Sequence, residues 1–104
     1  MFILINIIDQ ELQLIESTNR VQYRQQQIEL TSVEYRLIEE LMKKPGVSLS
    51  RDYLMDHIYP DGRIVSDRTI DSHIKKLRKK LRDVSSDQEP VQSVYGVGYR
   101  FELP

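Results

Sequence analysis

Short strands, three helices and a terminal hairpin follow one another along this sequence, and this order predicts an α+β domain. Apolar stretches of three or four residues, separated by turn-forming residues, occupy the first thirty positions. Apolar residues then recur at helical spacing in three segments between residues 31 and 82. Two strand-like runs flank a Gly-Val-Gly triplet near the end.

The length and composition fit one globular domain spanning residues 1–104. The chain is 39% hydrophobic and 30% charged, and it contains no cysteine, which excludes disulfides and thiolate metal sites. Its longest apolar run, residues 2–8, is too short to cross a bilayer and lacks the basic flank of a secretory signal. We therefore expect a cytoplasmic protein without contact to a membrane.

The first thirty residues predict a four-stranded antiparallel sheet with one buried face. The expected strands are residues 2–5, 12–15, 21–23 and 28–30. Turn-forming residues such as those at 17–19 separate them.

A first helix is expected to begin at Thr31. Thr31 and Glu34 have the spacing of a capping box, in which each side chain bonds the backbone N–H of the other residue. Pro45-Gly46 ends the helix. Its inner face holds Val33, Leu37, Ile38, Leu41 and Met42.

A short strand at residues 47–49 and a second helix are expected next. Ser50 is a suitable N-cap for that helix, and Leu54 and Ile58 are expected to face the core. The segment at residues 59–62 then breaks the helix into a loop.

The third helix, expected over residues 67–82, is the clearest segment. Ile70, Ile74, Leu77 and Leu81 follow at steps of four, three and four, which places them on one inner face. The opposite face holds Arg68, Ser72, Lys75, Lys76 and Lys79. Thr69 and His73 border this face on one side, and Asp71 and Arg78 lie on the other flank.

Positive charge is concentrated in this third helix, although the formal net charge of the chain is only −1. Residues 63–82 contain eight basic residues and two acidic ones, a net charge of +6. A localised basic stripe is the electrostatic footprint of polyanion binding. The alternative at this point is a solvated helix face with balancing acids nearby.

A hairpin is expected at the end of the chain. Residues 91–95 and 99–102 are strand-like, and Gly96-Val97-Gly98 joins them.

These parts suit duplex DNA binding. The major groove admits one α-helix, which must present polar and cationic side chains while a buried face and a preceding helix hold it rigidly. The segment from residue 50 to residue 82 supplies both helices. A hairpin beyond the reading helix can lie along a neighbouring phosphate strand or reach into the minor groove.

Three passages of the chain resemble the OmpR/PhoB group of response-regulator effector domains. They are LTSVEYRLI at residues 30–38, DRTIDSHIKKLRKKL at residues 67–81, and VQSVYGVGYRF at residues 91–101. The central passage is long and specific, and the resemblance extends over essentially the whole chain.

The resemblance implies a winged helix-turn-helix fold with an N-terminal four-stranded sheet, three helices and a C-terminal hairpin wing. It implies that the chain is the output domain of a two-component response regulator and regulates bacterial transcription. Such domains are monomers alone and bind tandem direct repeats of double-stranded DNA as head-to-tail pairs. The loop of residues 59–66 resembles the segment through which the family meets RNA polymerase.

The resemblance also implies roles for individual side chains. Residues facing bases or nearby phosphates in the major groove would be Ser72, His73, Lys75 and Lys76. Phosphate anchors would be Arg51, Tyr59, Arg68, Thr69, Arg78, Ser93 and Tyr99, and Lys79 is a further candidate for a phosphate contact. Asp71 occupies a position near the bases in similar proteins, or it pairs with a neighbouring cation that contacts a base.

The chain departs from the family in two respects. Some relatives carry an arginine in the wing where this chain has Tyr95, so Tyr95 either packs on the sugar-phosphate backbone or fills the hairpin. Family members also carry a receiver domain, which answers to a sensor kinase and which this chain is too short to contain. Because the sequence begins abruptly at a strand, we expect a piece of a longer protein rather than a protein without its own switch.

Other classes of function are less well supported. A winged-helix module that docks a partner protein would need an apolar or acidic patch on the third helix, and here that face is basic. His57 is interpreted as a surface or packing residue, because Asp56 and His57 point about 100° apart and make no metal site. No nucleophile motif surrounds any serine. We expect no enzyme activity, no metal and no cofactor.

Overall fold

The computed structural model describes residues 12–23, 25–59, 67–84 and 89–102. The strands and helices are β1 (Gln13–Ile15), β2 (Arg20–Tyr23), β3 (Gln26–Glu29), α1 (Ser32–Lys43), β4 (Leu49–Ser50), α2 (Arg51–Ile58), α3 (Asp67–Val84), β5 (Val91–Val94) and β6 (Gly98–Phe101). The strand predicted at residues 2–5 lies outside the described residues. The α+β class, the three helices and the terminal hairpin are confirmed.

The first sheet is antiparallel, in the order β1-β2-β3. Val21 of β2 pairs with Leu14 on one side and with Ile28 on the other. Val21 and Tyr23 are buried, whereas the residues of β1 and β3 are exposed or only partly buried. One face of the sheet therefore joins the core, as the sequence predicts. β3 begins at Gln26, two residues before the start of the strand predicted at residues 28–30.

The capping box at the start of α1 is present. Thr31 Oγ1 accepts from the Glu34 backbone N–H at 3.1 Å, and the Thr31 backbone N–H donates to Glu34 Oε1 at 2.9 Å. Of the predicted inner face, Leu37, Ile38 and Leu41 are fully buried. The buried face differs from the predicted one at its edges, because Val33 and Met42 are only partly buried whereas Glu34, Tyr35 and Glu40 are buried.

α2 begins where the sequence predicts, since Ser50 Oγ accepts from the Tyr53 backbone N–H at 3.0 Å. Leu54 and Ile58 are buried. The bounds predicted for the short strand, residues 47–49, are wrong. The strand is Leu49–Ser50, and Val47 lies outside it and is about half exposed. Of the following loop the structure describes only Tyr59, so the segment predicted to meet RNA polymerase lies almost wholly outside the described residues.

α3 runs two residues beyond its predicted end. Ile70, Ile74, Leu77 and Leu81 are all at most 1% exposed, so the predicted inner face is confirmed. These side chains lie in the same core as the buried residues of α1, α2 and both sheets. α3 is thereby held against α1, α2 and β3.

The second sheet is β4-β6-β5, and its last two strands form the hairpin, called the wing below. The turn of the wing is Tyr95–Val97, one residue earlier than predicted, and Gly98 belongs to β6. Gly98 pairs with both Ser50 and Val94. A Cβ at Gly98 would lie 2.1 Å from the Leu49 carbonyl oxygen, so this close approach of β4 and β6 requires glycine.

A buried ion pair joins α1 to α3. The Glu34 side chain is 2% exposed and accepts a hydrogen bond from Lys80 Nζ, while Lys80 is 31% exposed. Burial raises the pKa of Glu34, but the bonds from Lys80 and from the Thr31 backbone outweigh it and hold the pKa below its ordinary value of 4.5. Glu34 therefore both caps α1 and fixes α3 against it.

Replacing Lys80 by methionine is expected to lower the free energy of unfolding by roughly 3 kcal/mol, because it leaves the Glu34 carboxylate buried without its cation. In the wild type, the Glu34 carboxylate contributes fully to the stability of the domain above pH 4.5. This contribution is lost as the pH falls through the lowered pKa of Glu34. The difference between wild type and variant should thus shrink on acidification below pH 4.5. Denaturant titrations at neutral and acidic pH measure both effects. Lys79→Met, at an exposed neighbouring position, is the matched control and should be nearly neutral.

Candidate nucleic-acid interface

The face of α3 opposite the core is open and basic. Exposed side chains on it are Arg68, Ser72, Lys75, Lys76 and Lys79, as the helical spacing predicts. A shallow groove of about 390 Å³ runs along this face, lined by Ser72, Lys75, Lys76, Lys79 and Arg82. The burial of the four apolar residues on the other side fixes the direction in which these cations point.

Arg82 was not among the predicted site residues. It lies three residues after Lys79 and therefore on the same side of the helix. The prediction placed Arg82 at the end of α3, whereas the helix continues to Val84 and gives Arg82 a regular position on this face. Arg82 also forms an ion pair with Glu89, with 3.6 Å between Nη1 of Arg82 and Oε1 of Glu89.

Asp71 sits on the flank of α3 and is bonded to two other elements. Arg51 Nε of α2 donates to Asp71 Oδ1 at 2.8 Å, and the Tyr99 hydroxyl of β6 donates to the same oxygen. The hydrogen bonds from Arg51 and Tyr99 hold the pKa of Asp71 below its ordinary value. Asp71 therefore stays ionised and joins α2, α3 and the wing. The cation that pairs with Asp71 is therefore Arg51, which the family resemblance assigns to a phosphate rather than to a base.

Arg78 ties the same flank of α3 to the wing. Its Nε donates to the Val91 carbonyl oxygen at 3.0 Å, and its Nη2 donates to Ser93 Oγ at 2.7 Å. The guanidinium carbon lies 5.4 Å from the centre of the Tyr99 ring, within cation–π range. Arg78 thus fixes the position of β5 relative to α3.

Five of the predicted contact residues are consequently bonded to one another: Arg51, Asp71, Arg78, Ser93 and Tyr99. The Tyr99 ring is buried. Burial is the larger cause and the hydrogen bond to Asp71 the second cause of the raised pKa of its hydroxyl. Sequence spacing places these residues on separate elements and gives no sign that they form one network.

His73 borders the basic face and contacts a residue from the end of α2. Its Nε2 lies 3.2 Å from the hydroxyl of Tyr59, whose ring is buried. Burial, with the charge of Lys76 adding to it, lowers the pKa of His73, although Glu34 opposes the shift. The imidazole is therefore mainly neutral at pH 7 and able to donate or accept one hydrogen bond.

The remaining predicted contacts occupy two places. Thr69 is partly buried on α3. Tyr95 is fully exposed in the turn of the wing, and Val97 beside it is about half exposed. The expected alternative in which Tyr95 fills the hairpin is therefore wrong, because its side chain is fully exposed to solvent. His57 is exposed and stacks on Tyr53, with 4.0 Å between the ring centres.

Within the described ranges, no helix has the length and apolar character needed to cross a membrane. Among the same residues, no group of three or more histidine, aspartate or glutamate side chains is arranged to hold a metal ion.

The family whose pattern matches this sequence is described as "Transcriptional regulatory protein, C terminal", and the match covers residues 25–101. The chain belongs to this family. Its members are the OmpR/PhoB-type DNA-binding domains of response regulators. Membership confirms the predicted winged-helix fold and the predicted class of function, which is DNA binding in transcriptional regulation rather than catalysis.

The curated relatives are transcriptional regulators longer than the segments that match this chain. The chain is 47% identical over 96 residues to the transcriptional regulatory protein BaeR of Escherichia coli O6:H1, covering 90% of this chain and 40% of BaeR. It is 38% identical over 87 residues to CreB of Escherichia coli K12, covering 84% and 38%, respectively. It is 36% identical over 92 residues to the phosphate regulon regulator PhoB of Rhizobium meliloti, covering 88% and 40%. The chain therefore spans about 40% of the length of these relatives.

Solved structures share the fold over nearly the whole chain. The DNA-binding domain of the response regulator AdeR, crystallised with an intercistronic region, superposes with a TM-score of 0.79 at 32% identity and covers 90% of this chain and 96% of that one. The DNA-binding domain of Escherichia coli CadC gives a TM-score of 0.81 at 27% identity, with 90% and 88% covered. That of Escherichia coli CpxR gives 0.73 at 28% identity, with 88% and 90% covered.

The lowered pKa of His73 predicts a pH-dependent contribution to stability. The unfolded chain binds a proton at His73 more readily than the folded chain does. This contribution is therefore complete above pH 6.5 and decreases as pH falls from 6.5 towards the pKa of the folded state. Thermal or denaturant unfolding should show a steeper loss between pH 7 and 5.5 in wild type than in His73→Gln. His57 is present in both proteins and cancels in the comparison. Equal pH profiles would contradict the assignment.

Proposed function

We propose that this chain binds duplex DNA with sequence specificity by placing α3 in the major groove and the wing on the adjacent backbone or minor groove. The observation that carries the proposal is the two-sided character of α3. Four apolar side chains fix the helix to the core, and the opposite face presents lysines and a serine to solvent. A reading helix needs that rigid mounting and that polar exposed face.

The middle of the exposed face supplies the base contacts in this proposal. Ser72, Lys75 and Lys76 are exposed there, and neutral His73 lies at the edge. Lysine donates to the acceptors of guanine, while serine and neutral histidine either donate or accept. These four positions would therefore carry most of the sequence preference.

Phosphate contacts would surround this centre. Cations and hydroxyls suited to them are Arg51, Arg68, Thr69, Arg78, Lys79 and Ser93. Tyr59 and Tyr99 have buried rings, so we assign their effect to the residues they hold, His73 and Asp71. Phosphate contacts set affinity and register, and they make binding depend on salt.

The wider partners follow from the family. We propose that the chain is the output domain of a longer cytoplasmic response regulator, whose receiver domain answers to a sensor kinase. It would bind tandem direct repeats as a head-to-tail pair, and residues 59–66 would contact RNA polymerase. The relatives support this proposal because each is a regulator more than twice as long as this chain's match to it.

Lys76 and Lys79 should affect DNA binding in different ways. Lys76→Ala should weaken binding and relax base preference at one position by about 1–3 kcal/mol, because the ammonium would donate to a base. Lys79→Ala should weaken binding to all sequences alike and reduce the salt slope by about 0.9, the value for one phosphate contact. Binding titrations between about 50 and 200 mM salt, on a duplex selected from a random pool and on a random-sequence duplex, separate the two effects.

An exposed acidic residue outside α3 provides the control for both lysine variants. Glu29→Gln in β3 raises the net charge by one, whereas each lysine variant lowers it by one. It should leave base preference unaltered. Unchanged affinity and unchanged salt slope in both lysine variants would refute the placement of α3 in the major groove of DNA.

Tyr95 should contribute to affinity without contributing to salt dependence. A neutral ring at the tip of the wing can pack on sugar or enter the minor groove, where it displaces no counterion. Tyr95→Ala should weaken binding several-fold with the salt slope and the melting temperature unchanged, since the side chain is fully exposed. Tyr95→Arg should instead increase the slope by about 0.9 if its guanidinium reaches a phosphate. A wild-type affinity for Tyr95→Ala would show that the tip does not reach DNA.

A further inference from the structure

We propose that Asp71 is a positioning residue for DNA binding: its carboxylate holds Arg51 and Tyr99 in place, so that α2 and the wing reach the phosphate backbone in a fixed relation to α3. In this role Asp71 contacts no base. The inference rests on the proposed function, and it assigns to one carboxylate the coupling of the three DNA-facing elements.

The geometry around Oδ1 favours positioning over base contact. An aspartate reads DNA by accepting a hydrogen bond, as from the N4 amino group of cytosine. Oδ1 of Asp71 already accepts from Arg51 and from Tyr99. The Asp71 side chain is 42% exposed, so the bonds form at the edge of the interface rather than in the core. These two bonds fix the orientation of the carboxylate towards α2 and the wing, so a base could use only its second oxygen, Oδ2.

Arg51 is held in a way that suits a phosphate ligand. Its bond to Asp71 uses Nε, one of the five N–H donors of the guanidinium. The Arg51 side chain is 37% exposed, and its guanidinium carbon lies 5.7 Å from the centre of the Tyr99 ring. Asp71 and Tyr99 together limit the rotamers of a long side chain. This restriction lowers the entropy that Arg51 would lose on binding a phosphate.

The second bond of Asp71 extends the coupling to the wing. Tyr99 pairs with Ser93 across the hairpin, and Ser93 accepts from Arg78 of α3. Arg78 also lies over the Tyr99 ring. The wing is therefore attached to α3 at Asp71 and again at Arg78. Loss of the Asp71 carboxylate would remove the ion pair of Arg51, leaving Arg51 its contact with the Tyr99 ring, and would leave the wing attached through Arg78.

The different fates of Arg51 and the wing set the test, which measures binding to a duplex selected by the wild-type chain. The variants compared are Asp71→Asn, Asp71→Ala, Arg51→Ala and the double variant Arg51→Ala/Asp71→Ala. Asp71→Ala and Arg51→Ala should each weaken binding about tenfold and each reduce the salt slope by about 0.9, because both lose the same phosphate contact. The double variant should lose about tenfold, not a hundredfold, because the two residues act as one unit. Asp71→Asn, which keeps the shape of the side chain, should fall between wild type and Asp71→Ala.

The sign of the effect is informative, because removing a negative charge beside DNA would by itself tighten binding. Asp52→Ala, at an exposed acid next to Arg51, is the matched control and should bind as tightly as wild type or more tightly. Thermal melts show that each variant is folded at the temperature of the titration. A merely structural role would lower the melting temperature without changing the salt slope of the folded fraction.

Three results would overturn the inference. Asp71 variants that bind as tightly as wild type, with an unchanged slope, would show that the carboxylate positions nothing. Relaxed preference at one base pair with an unchanged slope would make Asp71 a base contact. An Arg51→Ala variant without effect, while Lys76→Ala and Lys79→Ala weaken binding, would refute this inference and leave the proposed function intact. Failure of all these variants to alter binding would refute the proposed function itself.

Discussion

Burial of one face of α3 is the constraint on which the rest of the structure depends. Ile70, Ile74, Leu77 and Leu81 are removed from water almost completely, and each such side chain contributes roughly 1.5–3 kcal/mol. Rotation of α3 by a quarter turn would expose this stripe and bury lysines. The same burial that stabilises the domain therefore determines which side chains face solvent, and fold and interface cannot vary independently.

Local patterns predict most of the fold because its elements are specified by nearby residues. The capping box of α1 depends on residues three apart, and the inner face of α3 repeats every three or four positions. The exposed basic face follows from that repeat without further information. The errors fall at the ends of elements: α3 is longer than predicted, and the turn of the wing includes Tyr95. Moving the end of a helix or strand by one or two residues costs little free energy, so local patterns do not fix it.

Contacts between distant residues were beyond the reach of sequence reasoning. Glu34 and Lys80 are 46 positions apart, and Asp71 is 20 positions from Arg51 and 28 from Tyr99. No periodic pattern connects residues on different elements, so helical spacing could not identify Arg51 as the cation beside Asp71. Glu34 was recognised as a cap, and its second role as the partner of Lys80 requires α1 and α3 to be packed together first.

The two acids bonded around α3 explain how a chain with a net charge of −1 presents a cationic face. Glu34 binds Lys80 on the side towards the core, and Asp71 binds Arg51 on the flank. Both carboxylates are bonded to cations that do not line the groove, and both have lowered pKa values, so they remain charged and bonded at neutral pH. These two negative charges near α3 thus fix the helix against its neighbours. The field of Lys75, Lys76 and Lys79 is left directed at solvent, where screening acts over only about 8 Å at physiological salt. At that range a polyanion responds to the local face and not to the total charge of the chain.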